Sequence, residues 1–134
     1  MQNEIIEKFV IPLDPRTKKN HQQVVLKNGR PRVVQNTAYR QYERDALYFL
    51  KPQGYNEPLN IRCLFYMKTR RKVDLTNLLA AIDDILVGAG TIEDDNCSIV
   101  IGHDGSRVFY DKENPRTEVY IERMNEEGLT NGGK

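Results

Sequence analysis

Hydrophobic and polar positions alternate with two different periods along the chain, and the switches between them outline its elements. Residues 4–13 alternate loosely around Phe9, Val10, Ile11 and Leu13, which predicts an opening strand ending at Pro12 or at Asp14-Pro15. Val24-Val25-Leu26 and Arg32-Val33-Val34 flank Lys27-Asn28-Gly29-Arg30. Asn-Gly between two β-branched runs predicts a tight hairpin, because both residues tolerate positive φ. Tyr39, Tyr42, Ala46, Phe49 and Leu50 then recur at helical spacing, so a helix capped by Asn36 or Thr37 runs to about Leu50 with those residues on its buried face. Leu59–Met67 returns to a period of two, with Ile61, Cys63, Phe65 and Met67 on one side and Arg62, Tyr66 and then Lys68 mostly on the other, the pattern of a half-buried strand. A second helix opens at Asp74 and closes near Gly88-Ala89-Gly90. Its Leu75, Leu78, Leu79, Ile82, Ile85 and Leu86 share one arc of roughly 120°, and Asp74, Asn77, Ala81 and Asp84 form an adjacent stripe. Short strands at Ser98–Ile101, Val108–Tyr110 and Thr117–Met124 complete the chain, with a turn at His103–Ser106. This order implies an α+β fold, one domain with a mixed β-sheet and two main helices.

Composition narrows the class. At 134 residues and 15.5 kDa the chain fits one ordinary domain, read as residues 1–124 with a polar, glycine-bearing tail at 125–134. Hydrophobic residues at 39% and charged residues at 29% exclude a disordered chain. No apolar run approaches the roughly 18 residues of a membrane span, and the N-terminus lacks the basic start and apolar core of a signal peptide. The two cysteines, Cys63 and Cys97, form no CxxC and have no histidine beside them, which argues against a disulfide scaffold and a structural zinc site. These features together read as cytoplasmic, with no membrane partner.

The small net charge of +1 conceals an uneven distribution. Residues 1–72 hold fifteen Lys and Arg against six Asp and Glu, whereas residues 73–134 hold five against thirteen. A basic half suits phosphates; the acidic half must hold its negative charge for some other purpose, although solvated faces also produce such splits. The acids that draw attention are Asp74, where a strand exit meets a helix start, Asp84 on the same helical side, and Asp94-Asp95 after a short reversal. Carboxylates converging in one cleft repel each other unless a divalent cation sits among them, and hard oxygen ligands select Mg²⁺, Mn²⁺ or Ca²⁺. The bland alternative is that Asp74 is an N-cap and Asp94-Asp95 a solvated turn. An EF-hand is a poor fit, because the sixth position counted from Asp94 is Ile99 and not glycine. Lys68-Thr-Arg70-Arg71-Lys72 enters the candidate cleft directly. Arg16, Lys18, Lys19, Lys27, Arg30 and Arg32 extend the same basic surface, and contacts of this kind hold phosphates without reading bases. His21 and His103 stand alone in the sequence, and His103 before Asp104-Gly105 reads as a turn residue.

Asp74-Leu-Thr76-Asn77-Leu-Leu79, followed by Ala81-Ile-Asp-Asp84-Ile-Leu86, Gly90 and Glu93-Asp94-Asp95, resembles the RusA family of Holliday junction resolvases. Ile11-Pro12 with Lys18-Lys19-Asn20, the Tyr39–Leu50 helix and the closing strand fall in the family's order, so the resemblance covers roughly residues 5–124. It implies a homodimeric, Mg²⁺-dependent endonuclease, with Mn²⁺ as a substitute, that nicks four-way branched DNA symmetrically in recombination or repair, in a bacterial or prophage setting. Carried over by position, Asp74 and Asp95 are the catalytic, metal-binding carboxylates and Asp94 a supporting acid; Asp84 joins the metal set as a candidate. Lys18, Lys19, Lys68, Arg70, Arg71 and Lys72 would contact the nucleic acid, and Thr76 and Asn77 would support the site. Two positions depart from the family: its second acid is Thr76 here and its helical lysine is Ala80. Asp84 would then take up part of the metal-binding role, or Thr76 would only position water, or activity would be impaired; Arg71 or Lys72 is the candidate replacement for the lost lysine. The competing readings are a non-catalytic branched-DNA-binding module and a metal-dependent nuclease acting on other nucleic-acid structures.

Overall fold

The computed structural model describes residues 3–18, 22–35 and 37–124. Its centre is the strand with the most regular alternation. Here β4 (Leu59–Met67) buries Leu59, Ile61, Cys63, Phe65 and Met67 almost completely. It pairs antiparallel with β7 (Arg116–Arg123), from Leu59 opposite Arg123 to Tyr66 opposite Arg116. On the far side of β7 lies β1 (Glu4–Ile11), also antiparallel, with a bulge between Ile5 and Glu7. The other edge of β4 is shared by two short parallel strands, β5 (Val100–Gly102) and β6 (Arg107–Tyr110). The sheet is therefore mixed. A separate two-stranded ribbon consists of β2 (Gln22–Lys27) and β3 (Arg30–Gln35), joined at Asn28 and Gly29, both with positive φ, as the Asn-Gly pair predicts.

Helix α1 (Thr37–Ala46) and helix α2 (Leu75–Gly88) bury their apolar faces in the same core as the sheet. Leu78, Ile82, Ile85 and Leu86 of α2 and Tyr39, Tyr42 and Ala46 of α1 are buried, so these faces are core. The first helix does not run to Leu50 as one α-helix. It tightens into a 3₁₀ turn at Leu47–Phe49, and the tighter rotation leaves Phe49 40% exposed instead of in the buried stripe. The strand expected at Ser98 begins two residues later. The Asn96 side chain accepts from the Ser98 N–H and its carbonyl from the Ile99 and Val100 N–H groups, which holds the chain in a turn before pairing starts.

The outer face of the sheet is polar and laddered. Arg62 stacks on the Tyr120 ring at 4.1 Å and ion-pairs with Glu122 at 2.8 Å. Arg116 covers Tyr66 at 3.7 Å, and Tyr66 in turn stacks on Phe109 at 5.0 Å. These strand tyrosines already have cations or rings on their faces, which makes them packing residues with polar tips. Asn60, buried in β4, spends its amide on Glu122 and the Asp104 carbonyl and accepts from the Asp104 N–H, pinning the β5–β6 turn to the central strand.

Candidate active site

The basic run after β4 is shaped by an acid from the loop after β1. Asp14 accepts the Lys68 N–H at 2.9 Å on one oxygen and the Arg71 Nη1 at 3.0 Å on the other. Arg71 also donates to the Pro15 carbonyl and to Thr69 Oγ1. Arg71 is thus a clamp between two loops, its fork matched to a carboxylate and a carbonyl together. Arg71→Ala is expected to lower stability by about 1–2 kcal/mol, with Arg71→Lys recovering little of it, because an ammonium cannot span both acceptors; urea denaturation of the three proteins measures this. Arg70 lies over the Tyr110 ring at 4.1 Å, while Lys68 and Lys72 are exposed. The clamp walls a small recess of about 100 Å³ lined by Arg16, Thr17, Arg71, Lys72, Asp74 and Asn77, among others.

At the lip of that recess α2 begins. Asp74 occupies the N-cap position with extended backbone, and its carbonyl accepts from Asn77 and Leu78, yet its side chain makes no capping bond. The carboxylate instead accepts from the Asn77 amide at 3.3 Å and is exposed. The structural role that an aspartate at a helix start usually fills is therefore left to the backbone.

The chain returns after α2 through Gly90, whose φ of +73° would strain any L side chain. Residues 90–93 are then stitched to the 51–55 loop by Gly54 N–H to Gly90 O, Tyr55 N–H to Thr91 O and Glu93 N–H to Tyr55 O. That seam fixes where Asp94 and Asp95 start. Asp94 accepts from the Asp95 backbone at 2.7 Å and from the Asn96 amide at 3.1 Å, bonds that hold its carboxyl below the usual range. Asp95 is pushed up, first by partial burial and then by the Asp94 carboxylate and the charge of Asp83.

Asp83 was not among the residues the sequence singled out. One of its oxygens, Oδ2, lies 2.9 Å from His103 Nε2, and the His103 Nδ1 donates to the Ile61 carbonyl at 2.8 Å. Its other oxygen, Oδ1, is buried with no hydrogen-bond partner. Since a carbonyl only accepts, Nδ1 carries a proton; burial pulls the imidazole down, but Asp83 and the Ile61 carbonyl outweigh it and hold His103 above its ordinary value. Asp84 goes elsewhere. Successive helical residues differ by about 100°, so when Asp83 faces His103 and Asp95, Asp84 faces α1, where it pairs with Lys18 at 3.4 Å beside Arg40, Glu43 and Arg44. The stripe containing Asp74, Asn77 and Asp84 thus sends Asp84 to Lys18, and the helical charge that reaches Asp95 is that of Asp83. Lys18 is half-exposed in that pair, and Lys19 lies outside the described residues. Thr76 and Ala80 are exposed, roughly on the angular side that carries Asp83.

The charges that bear on Asp95 are the carboxylates of Asp94 and Asp83, and their mutual repulsion is of the kind a hard divalent cation relieves. Among the described residues, no three His, Cys, Asp or Glu side chains stand together closely enough to hold a metal ion. The donor chemistry fits, but the described residues do not preassemble the four-acid cluster. A family model described as Endodeoxyribonuclease RusA matches residues 12–122. The chain belongs to the RusA family. No curated protein matched the chain. RusA membership assigns the chain to the endodeoxyribonucleases, and the matched span runs from the end of β1 to the end of β7, taking in the basic recess, α2 and the Asp94-Asp95 loop. Among the described residues no helix is long and apolar enough to cross a membrane.

Proposed function

We infer that the chain is a divalent-metal-dependent endonuclease that resolves four-way DNA junctions, acting as a homodimer with one nick per protomer. The observation that carries this reading is the Asp74 carboxylate, released from capping and held at the lip of a recess walled by Arg16, Arg71 and Lys72. Such a pairing of acid with surrounding cations suits a phosphodiester, whose negative charge must be met before a carboxylate can approach it. Asp74 and Asp95 are the residues that would hold the metal, with Asp94 and Asp83 shaping the field around Asp95. The chemistry that Mg²⁺ or Mn²⁺ supplies among such acids is activation of water and neutralisation of phosphate charge. The chain's own contributions are positional: Asn77 steadies Asp74, Arg71 fixes the floor of the recess, and Lys68, Arg70 and Lys72 contact the backbone. A four-way junction has approximate two-fold symmetry, and two opposed nicks need two sites, which a C₂ dimer provides.

Incubating the purified chain with a synthetic four-way junction tests the reading. Paired, symmetric nicks with Mg²⁺, none with chelator, and no cleavage of linear duplex are expected. Equal cleavage of duplex and junction overturns junction selectivity. Two observations favour a second reading, a branched-DNA-binding module without hydrolysis: among the described residues no three acids close into a site, and Thr76 stands where the family has its second acid. Tight junction binding with no nicks in either Mg²⁺ or Mn²⁺ would select it.

A further inference from the structure

The β2–β3 hairpin stands apart from the five-stranded sheet as its own two-stranded ribbon. Its strands of six residues reach about 20 Å. The tip is tight: Asn28 and Gly29, with φ of +56° and +76°, form the turn, Lys27 pairs with Arg30 and Leu26 with Pro31. Leu26 is 77% exposed. From Pro15 to Tyr42 the chain carries seven Lys and Arg and no Asp or Glu, so the ribbon and its flanks are uniformly basic.

We propose that this hairpin enters the branch point of the DNA, where the exposed Leu26 and Pro31 act as an apolar wedge against unstacked base pairs while the exposed Arg30 lies on the converging phosphates. The proposal rests on branched DNA being the substrate. A two-stranded ribbon has the width to enter a DNA groove, and the unbroken positive charge selects a polyanion as occupant. Leu26 adds nothing to phosphate binding. In a continuous duplex it meets only groove edges, whereas at a crossover stacking is already interrupted and base faces are open to an apolar side chain. Addition of a protein strand to the ribbon is opposed by Pro31, which has no N–H to give to a ladder.

The test uses a four-way junction with 2-aminopurine beside the crossover, a base whose fluorescence rises on unstacking, together with a linear duplex of the same sequence. Wild type is expected to raise the junction fluorescence several-fold and to bind junction over duplex. Leu26→Ser, at an exposed position that burdens no core, is expected to lose most of that rise and about tenfold of the junction preference, with duplex affinity unchanged. Arg30→Gln is expected to weaken both DNAs alike and to flatten the salt dependence. Unaltered fluorescence and preference in Leu26→Ser overturns the wedge while leaving junction cleavage standing. A change in oligomeric state in Leu26→Ser, with the fluorescence response intact, overturns it in favour of contact between copies. Absence of junction preference in wild type itself overturns the underlying functional reading.

Discussion

Asp74→Asn is expected to lower Mg²⁺-dependent nicking of a four-way junction by on the order of 10³-fold or more while changing junction affinity, measured in chelator, by less than about threefold. The substitution keeps the shape of the side chain and removes only its charge. Asp74 makes no side-chain cap, so α2 loses no capping bond and only an exposed charge at its dipole, and the Asn77 contact at 3.3 Å is exposed and weak. Stability should therefore move by no more than about 0.5 kcal/mol. Phosphate binding is carried by cations around the recess and does not need the acid; neutralising one carboxylate near the backbone even relieves some repulsion. The paired measurement separates an acid that takes part in hydrolysis from one that only shapes the helix start. Nicking that persists near the wild-type rate in Asp74→Asn would remove this residue from the mechanism and shift attention to the Asp83–Asp95 side.

How far the sequence carries toward this site depends on the range over which each residue finds its partner. The β4 pattern was legible because period-two alternation is local, and the structure begins and ends that strand at Leu59 and Met67 as the alternation does. The hairpin was legible for the same reason, its turn being written in Asn28-Gly29. Asp74 could be placed at a helix start, but whether its carboxylate caps the helix or faces the recess depends on a rotamer that no spacing reveals. The 83–84 pair shows the limit most clearly. A helical stripe drawn from Asp74 through Asn77 selects Asp84, and nothing local reveals that Lys18 on another loop takes it up. Asp83 acquires its role from His103, which reaches it only because β4, β5 and the turn after β5 bring Ile61 and His103 together beside α2. Asp14 is a similar case: read as the end of the first strand, it organises the basic run more than fifty residues away. Lone residues in a sequence are lone only along the chain.

His103→Ala is expected to lower stability by about 2–3 kcal/mol at pH 6, below the 3–5 kcal/mol scale of a fully buried pair because both partners keep some exposure. The side chains of His103 and Asp83 are 22% and 14% exposed, and Asp83 Oδ1 already lacks a partner. Removing the imidazole leaves both Asp83 oxygens unpaired and the Ile61 carbonyl without its donor. The pH dependence follows from the direction of the shift. His103 is held above its ordinary value in the folded chain, so its ionic contribution is complete below the unfolded value of about 6.5 and is lost as pH rises through the higher folded value. The stability gap between wild type and His103→Ala should accordingly be widest near pH 6 and narrow toward alkaline pH. Asp83→Asn should remove the same pH-dependent component, since an amide beside the imidazole no longer rewards its proton. Urea midpoints for the three proteins at pH 6, 7.5 and 9 measure this; a gap that stays constant or widens with pH would mean that His103 is folded neutral and that packing alone holds Asp83 in place.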